Sequence, residues 1–149
     1  MRAVLQRVRS ASVSVDGEVV ASIGAGVMAL VGFADGDSSA DMDYVAGRIA
    51  SLRIFPDGEG RMNLSLAETG GSLLVVSQFT LYGDTRKGRR PSFSGAMGGD
   101  RAGSMFEEFV GKCRALVPVV ERGVFGAHME VALVNDGPVT LIVDSAKTL

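Results

Sequence analysis

The segment Leu73-Leu74-Val75-Val76-Ser77-Gln78-Phe79-Thr80-Leu81 constrains the fold more than any other, because it is apolar without alternation until it closes in polar residues. Such a run suits a strand buried on both faces, since a strand with one wet face alternates apolar and polar side chains. On either side of it the hydrophobic period changes. Arg2 to Ile23 reads as two strands: Val4, Gln6 and Val8 share a face, and Val13 and Val15 lead into Asp16-Gly17, a strong hairpin signal, before Val19-Val20. Val27 to Phe33 reads as a third. Ser38 or Asp37 can then cap a helix carrying Met42, Val45, Ile49 and Leu52, which ends near Phe55-Pro56 ahead of an Asp57-Gly58 loop. A second helix is expected from Asp100 to Leu116, with Met105, Phe106, Phe109, Cys113 and Leu116 on one stripe and Pro118 marking its end. Val119 to Phe125, Met129 to Val134 and Val139 to Val143 read as three further strands. This order predicts a single α+β domain over residues 1–149: a mixed or antiparallel sheet with additional strands and two main helices packed on it.

A chain of 149 residues that is 46% hydrophobic can bury a core without disulfides or structural metal. Its one cysteine, Cys113, has no partner, so a reducing, cytoplasmic setting is expected, with the thiol acting as a small buried hydrophobe. No apolar stretch approaches the roughly 20 residues that cross a membrane, and Met1-Arg2 leads straight into strand-like alternation, so Met1 is expected as the mature start. A net charge of −2 argues against wrapping nucleic acid, which depends on many phosphate contacts. Arg86, Lys87, Arg89 and Arg90 are the local exception: four cations within five residues, in a polar loop from Tyr82 to Gly99. They are either a solvated surface or a patch that steers a phosphate-bearing end.

Several familiar chemistries lack their residues. With one His and one Cys, and no HExxH or CxxC spacing, catalytic zinc and other metal sites are not expected, nor is any cofactor. There is no Gly-x-Ser-x-Gly elbow, Walker loop or dinucleotide fingerprint, and Gly24-Ala25-Gly26 reads as a turn. His128 reads as a partly exposed strand residue. An enzyme built from these residues needs a labile substrate.

Ser77-Gln78-Phe79-Thr80-Leu81 and Asn135-Asp136-Gly137-Pro138-Val139-Thr140 resemble the two signature segments of the D-aminoacyl-tRNA deacylase family, in that family's order and separation. The likeness extends to the opening Met1-Arg2-Ala3-Val4-Leu5-Gln6-Arg7-Val8 and to overall length. Read alone, each segment has a plainer explanation. Ser77 and Thr80 can be strand-end hydroxyls bonded to backbone, and Asp136-Gly137 can be a hairpin turn with Pro138 at its exit.

The resemblance implies a small homodimer that hydrolyses D-aminoacyl-tRNA, with the aminoacyl-tRNA 3′ end as partner and each active site at the subunit boundary. It also implies a cis Gly137-Pro138 bond that reaches into the neighbouring subunit's pocket. There its carbonyls would hold the substrate's α-amino group, and an L-residue's Cβ would be excluded. The site expected from it comprises Ser77, Gln78, Phe79 and Thr80 as catalytic segment. Backbone N–H groups around Phe79 and Thr80 would face the oxyanion, or else the Thr80 hydroxyl would be the nucleophile. Arg7 is expected to brace the Gly137-Pro138 loop, and Phe125 and Met129 to line the place of the terminal adenosine. The rival readings are a non-catalytic RNA-binding or synthetase-appended module, and a small-metabolite-binding oligomer.

Overall fold

In the computed structural model, which describes residues 1–149, the chain opens with a long strand β1 (Arg2–Val15) and returns as β2 (Glu18–Ile23). The turn residues between them have positive φ, 51° at Asp16 and 81° at Gly17, which matches the twist of a tight hairpin. β3 (Gly26–Gly32) follows, then α1 (Ser39–Ser51). The Asp41 carboxylate fixes the start of α1 by accepting from the Ser38 N–H at 2.9 Å and its hydroxyl at 3.1 Å. β4 (Phe55–Pro56) and β5 (Met62–Leu64) form a small hairpin, α2 (Leu66–Thr69) is one turn, and β6 (Ser72–Ser77) leads into a 3-10 turn at Phe79–Tyr82. α3 (Gly99–Arg114), β7 (Val119–Arg122) and β8 (Glu130–Asp144) complete the fold.

β1 is the hub of a mixed sheet. One edge pairs with β3 through Arg2 to Val8 and with β2 through Ala11 to Val15, and the other pairs with β8, all antiparallel. β3, β6 and β7 then run parallel. Parallel neighbours need long crossovers, which contain α1 between β3 and β6 and α3 between β6 and β7. The two helices share one face of the sheet and are tied there by Lys112 to Asp43 at 2.7 Å.

The apolar run behaves as expected along β6. Leu73 and Val75 join Val27, Ala29 and Val31 of β3 in the core beneath the helices, with Met42, Val45, Ile49, Phe106 and Phe109. Their neighbours Leu74, Val76 and Met28 enter a second core on the other side of the sheet, with Val8, Ala11, Val13, Ala21 and Ile23. Met129, Val131 and Leu133 close over that second core, and β2 touches β6 and β7 across it, so the sheet curls towards a barrel. β1 serves both cores: Ala3 and Leu5 enter the first, Ala11 and Val13 the second. Those residues have the same parity, so the switch of face requires the register shift between Val8 and Ser10.

Five features differ from the expectations above. β6 stops at Ser77 rather than Leu81, because Gln78 leaves the ladder at φ −147° and ψ 84° after one last bond, its N–H to Val31 O at 2.7 Å. α1 ends at Ser51, where Leu52 turns to ψ 130°, and Phe55-Pro56 belongs to the small hairpin instead. Leu116 is 46% exposed, and Ala102 and Val110 take its place on the buried stripe of α3. The C-terminal third holds two strands rather than three, because Asp136-Gly137 is no hairpin. β8 continues through it: Gln6 pairs with Thr140 and Val8 with Asn135, so Arg7 alone faces residues 136–139, which bulge out of the strand. Finally α2, β4 and β5, all short, carry no periodic signal.

β8 ends at Asp144, whose side chain is buried. Burial pushes its carboxyl up, but the Thr148 hydroxyl at 2.6 Å and the Thr148 and Ala146 N–H groups at 3.0 and 3.1 Å outweigh this and hold it below its usual value. A carboxylate depressed in the folded state contributes stability above its unfolded pKa and loses it as pH falls through the folded one. Asp144→Asn is therefore expected to lower stability at pH 7 by about 1–3 kcal/mol, with the gap to wild type closing below roughly pH 4. Urea melts across pH test this, and a gap that persists in acid would contradict the charge-based account.

Candidate active site

The parallel strands β3, β6 and β7 all end on the same side of the sheet, and the space beyond their carboxyl ends is a cavity of roughly 510 Å³. That is the region of an α/β sheet where ligands bind, and the volume suits a small organic group. Gly32 and Phe33 line it from β3, Ser77, Gln78 and Phe79 from β6, and the Phe125 to Met129 loop from beyond β7. Gly99 and Ala102 close it with the positive end of the α3 dipole. Most of the lining is apolar, with Ser77, Gln78 and His128 as its polar side chains.

The turn after β6 is held from several directions. Leu81 N–H bonds to Gln78 O at 3.3 Å and Gly83 N–H to Thr80 O at 2.9 Å. The Phe79 and Thr80 N–H groups, being first in the turn, have no carbonyl partner within it. Gln78 Nε2 donates to the Thr80 hydroxyl. Arg2, reaching over from β1, donates to Leu81 O at 3.1 Å and lies 4.6 Å above the Tyr82 ring. Burial, then Asp37, raise the Tyr82 pKa, so its phenol stays protonated. Gly32 lets the turn approach: a Cβ there would lie 2.7 Å from Gln78 O. Two other glycines seat the cavity's large side chains. The Phe125 ring packs on Phe106 at 5.9 Å and occupies space that a Cβ on Gly103 would approach to 3.3 Å, and Met129 Sδ lies 2.7 Å from a Cβ built on Gly123.

Among the residues expected at the site, Ser77, Gln78, Phe79, Phe125 and Met129 line the cavity, and Thr80 adjoins it, exposed and tied through Gln78. Arg7, Gly137 and Pro138 do not reach it. They form a separate group on the β1–β8 pair. Arg7 Nε donates to Asp136 O at 3.0 Å and Nη1 to Ile54 O at 2.6 Å, which ties the bulge to the segment after α1. Val139 N–H donates to Asn135 Oδ1 at 3.0 Å, the Gly137-Pro138 peptide is cis, and both residues are exposed.

Gly32, Phe33, Gly99 and Ala102 were not legible as site residues, since only strand pairing and helix docking bring them to the cavity. His128 lies in the loop after Gly126 rather than in a strand, and faces the cavity. Cys113 is buried and its thiol is pushed up to about 12, leaving an inert core side chain. Nowhere do three or more His, Cys, Asp or Glu side chains converge as metal ligands would. No helix is long and apolar enough to cross a membrane.

Gly32→Ala is expected to displace the Gln78 carbonyl and cut turnover roughly 10- to 100-fold, the usual scale for sub-ångström misplacement of a reacting geometry. Kinetics beside circular dichroism check this: a folded variant with wild-type turnover would show that the turn tolerates the shift.

Known proteins share this sequence and fold. The family described as D-Tyr-tRNA(Tyr) deacylase matches residues 4–144. Over 147 residues, 99% of both chains, the sequence is 55% identical to a D-aminoacyl-tRNA deacylase of Clostridium acetobutylicum. It is 56% identical over the same share of each chain to one of Desulfitobacterium hafniense. A solved structure described as a c-Myc DNA unwinding element binding protein superposes with a TM-score of 0.92 at 36% identity, covering 97% of this chain and 98% of that one. Another, described as a probable eukaryotic D-amino acid tRNA deacylase, shares the fold with a TM-score of 0.81 at 22% identity, over 95% and 97% of the two chains. A match that spans nearly every element around the cavity shows that the chain belongs to the D-aminoacyl-tRNA deacylase family and is an ester hydrolase.

Proposed function

We propose that the cavity beyond β3, β6 and β7 receives the aminoacylated 3′ end of tRNA and hydrolyses the ester when the amino acid is of D configuration, releasing the D-amino acid and tRNA. The observation that carries this reading is the Gln78–Tyr82 turn, which sets backbone N–H groups at the rim of a largely apolar pocket, where His128 is the one lining side chain with a basic atom and the Thr80 hydroxyl is bonded to Gln78 instead. The ester of an aminoacyl-tRNA is labile because a hydroxyl neighbours the leaving oxygen. Water attack assisted by that 2′-hydroxyl needs positioning and a stabilised oxyanion more than a protein nucleophile. The Phe79 and Thr80 N–H groups supply the oxyanion contact, Ser77 and Gln78 shape the pocket, and Phe125 and Met129 pack against the terminal adenosine. A carboxamide is no base in either orientation, so the contact of Gln78 with Thr80 does not activate that hydroxyl.

The chiral filter, in this reading, is the Gly137-Pro138 segment of a second copy. Two observations support it. The segment lies on the surface outside its own chain's cavity, held by Arg7. The outer edge of β8 is also unpaired and carries exposed Val134, Leu141 and Ile142, an apolar edge that a homodimer would cover. Main-chain carbonyls contributed there would hold the substrate amino group and leave no room for the Cβ of an L-residue, whatever its side chain. Residues 1–149 act as one deacylase domain in the cytoplasm, without a cofactor.

Matched D-aminoacyl-, L-aminoacyl- and glycyl-tRNA test the filter directly. The D-ester is expected to be cleaved, the L-ester spared and the glycyl ester, which lacks a Cβ, cleaved measurably. A glycyl ester that resists even high enzyme concentrations would count against steric exclusion, and binding without cleavage of any ester would favour a non-catalytic RNA-binding module. Thr80→Ala separates the two mechanisms when it is assayed with normal and 2′-deoxy-terminated substrates. The expected result is loss of rate, on the order of 100-fold, with the deoxy substrate and not with the variant; the reverse pattern would make Thr80 the nucleophile.

A further inference from the structure

We propose that the loop between Asp84 and Ser92 is a separate contact for the phosphate backbone of the RNA behind its terminal nucleotide. This rests on the cavity being the deacylase site. The loop is built to hold charge in place. Its base is clamped by Asp84 N–H to Ser92 O at 2.7 Å and Ser92 N–H to Asp84 O at 2.9 Å, and Gly88 turns its tip at φ +66°. Arg86, Lys87, Arg89 and Arg90 all project from it into solvent.

The only carboxylate within this loop, Asp84, is already engaged. It accepts from Arg86 Nε at 2.9 Å and Nη2 at 2.7 Å, which neutralises one cation and fixes the loop's shape. Lys87, Arg89 and Arg90 form no ion pair with the protein. In a chain of net charge −2 they are a local excess of positive charge with no internal partner.

Position ties this charge to the catalytic turn. Phe93, one residue past the clamp, stacks edge-to-face on Phe79 at 5.1 Å, and a Cβ on Gly83 would come within 3.0 Å of the same ring. Phe79 lines the cavity, so the cationic loop and the pocket rim are one packed unit. A nucleoside bound in the cavity continues into a chain of phosphates, and this rim is where a fixed set of cations can meet them. The three free cations are exposed side chains around a loop tip, with no enclosed cradle that would suit a single small anion. Spread charge of that kind fits a polyanion bound through several phosphates.

The test is steady-state kinetics of the wild type and the combined K87Q/R89Q/R90Q variant on D-aminoacyl-tRNA and on the same D-amino acid esterified to adenosine. Each phosphate contact to a single strand contributes about 0.7 to the slope of log affinity against log salt, so three contacts amount to a roughly 20-fold change between 50 and 200 mM salt. The expected result is that the variant loses about that much of the salt dependence of KM for tRNA, together with a rise in KM at low salt that is selective for tRNA over the adenosine ester. An unchanged salt slope overturns the contact. An equal rise in KM for both substrates also overturns it, by placing the effect in the cavity. If the wild type cleaves both D-esters and the variant matches it, only this contact fails. If the wild type cleaves neither, the deacylase reading fails and takes this one with it.

Discussion

The burial of both faces of two adjacent parallel strands, β3 and β6, is the constraint on which the rest of the structure depends. Leu73, Val75, Val27, Ala29 and Val31 require the helices on one side, and Leu74, Val76 and Met28 require the curled antiparallel strands on the other. Parallel pairing makes long crossovers unavoidable, and these carry α1 and α3 to the same face. Because the strands run the same way, their carboxyl ends open together. The cavity is thus a by-product of sheet polarity, and the Gln78–Tyr82 turn at its rim begins where the buried strand can no longer find a partner beyond Val31 O.

A second constraint lies at the opposite strand pair. One residue of β1 faces four of β8, and the surplus backbone is pushed out as the Asp136–Val139 bulge. Arg7 sits in that gap, bonded both to Asp136 O and to Ile54 O, so the loop is anchored from beneath while Gly137 and Pro138 stay exposed. The same β8 strand also leaves its outer edge unpaired, with Val134, Leu141 and Ile142 exposed along it.

In the proposed reading, the chemistry asked of the side chains is small. Cys113 is buried with its thiol protonated, Tyr82 is held as a neutral phenol under Arg2, and the Thr80 hydroxyl has a carboxamide as its side-chain partner. What the site offers is geometry: backbone donors at a turn fixed by Gly32, Arg2 and the last rung of the β3–β6 ladder. A site of backbone donors serves best where the substrate is already reactive, which is the case the proposed function makes.

Local pattern determined a large part of this in advance. The Asp16-Gly17 hairpin, the two main helices and the doubly buried strand follow from residue type and period, because those report which face of an element meets water. Resemblance of the two signature segments marked Ser77 to Thr80 and the Gly137-Pro138 loop. Tertiary structure alone decided where β6 stops, that Asp136-Gly137 interrupts a strand instead of joining two, and that Gly32, Gly99 and His128 share a cavity with Phe125 and Met129. The reason is physical: the stopping point and the bulge depend on register against a strand more than a hundred residues away in the case of β1 and β8, and no window of neighbouring residues carries that register.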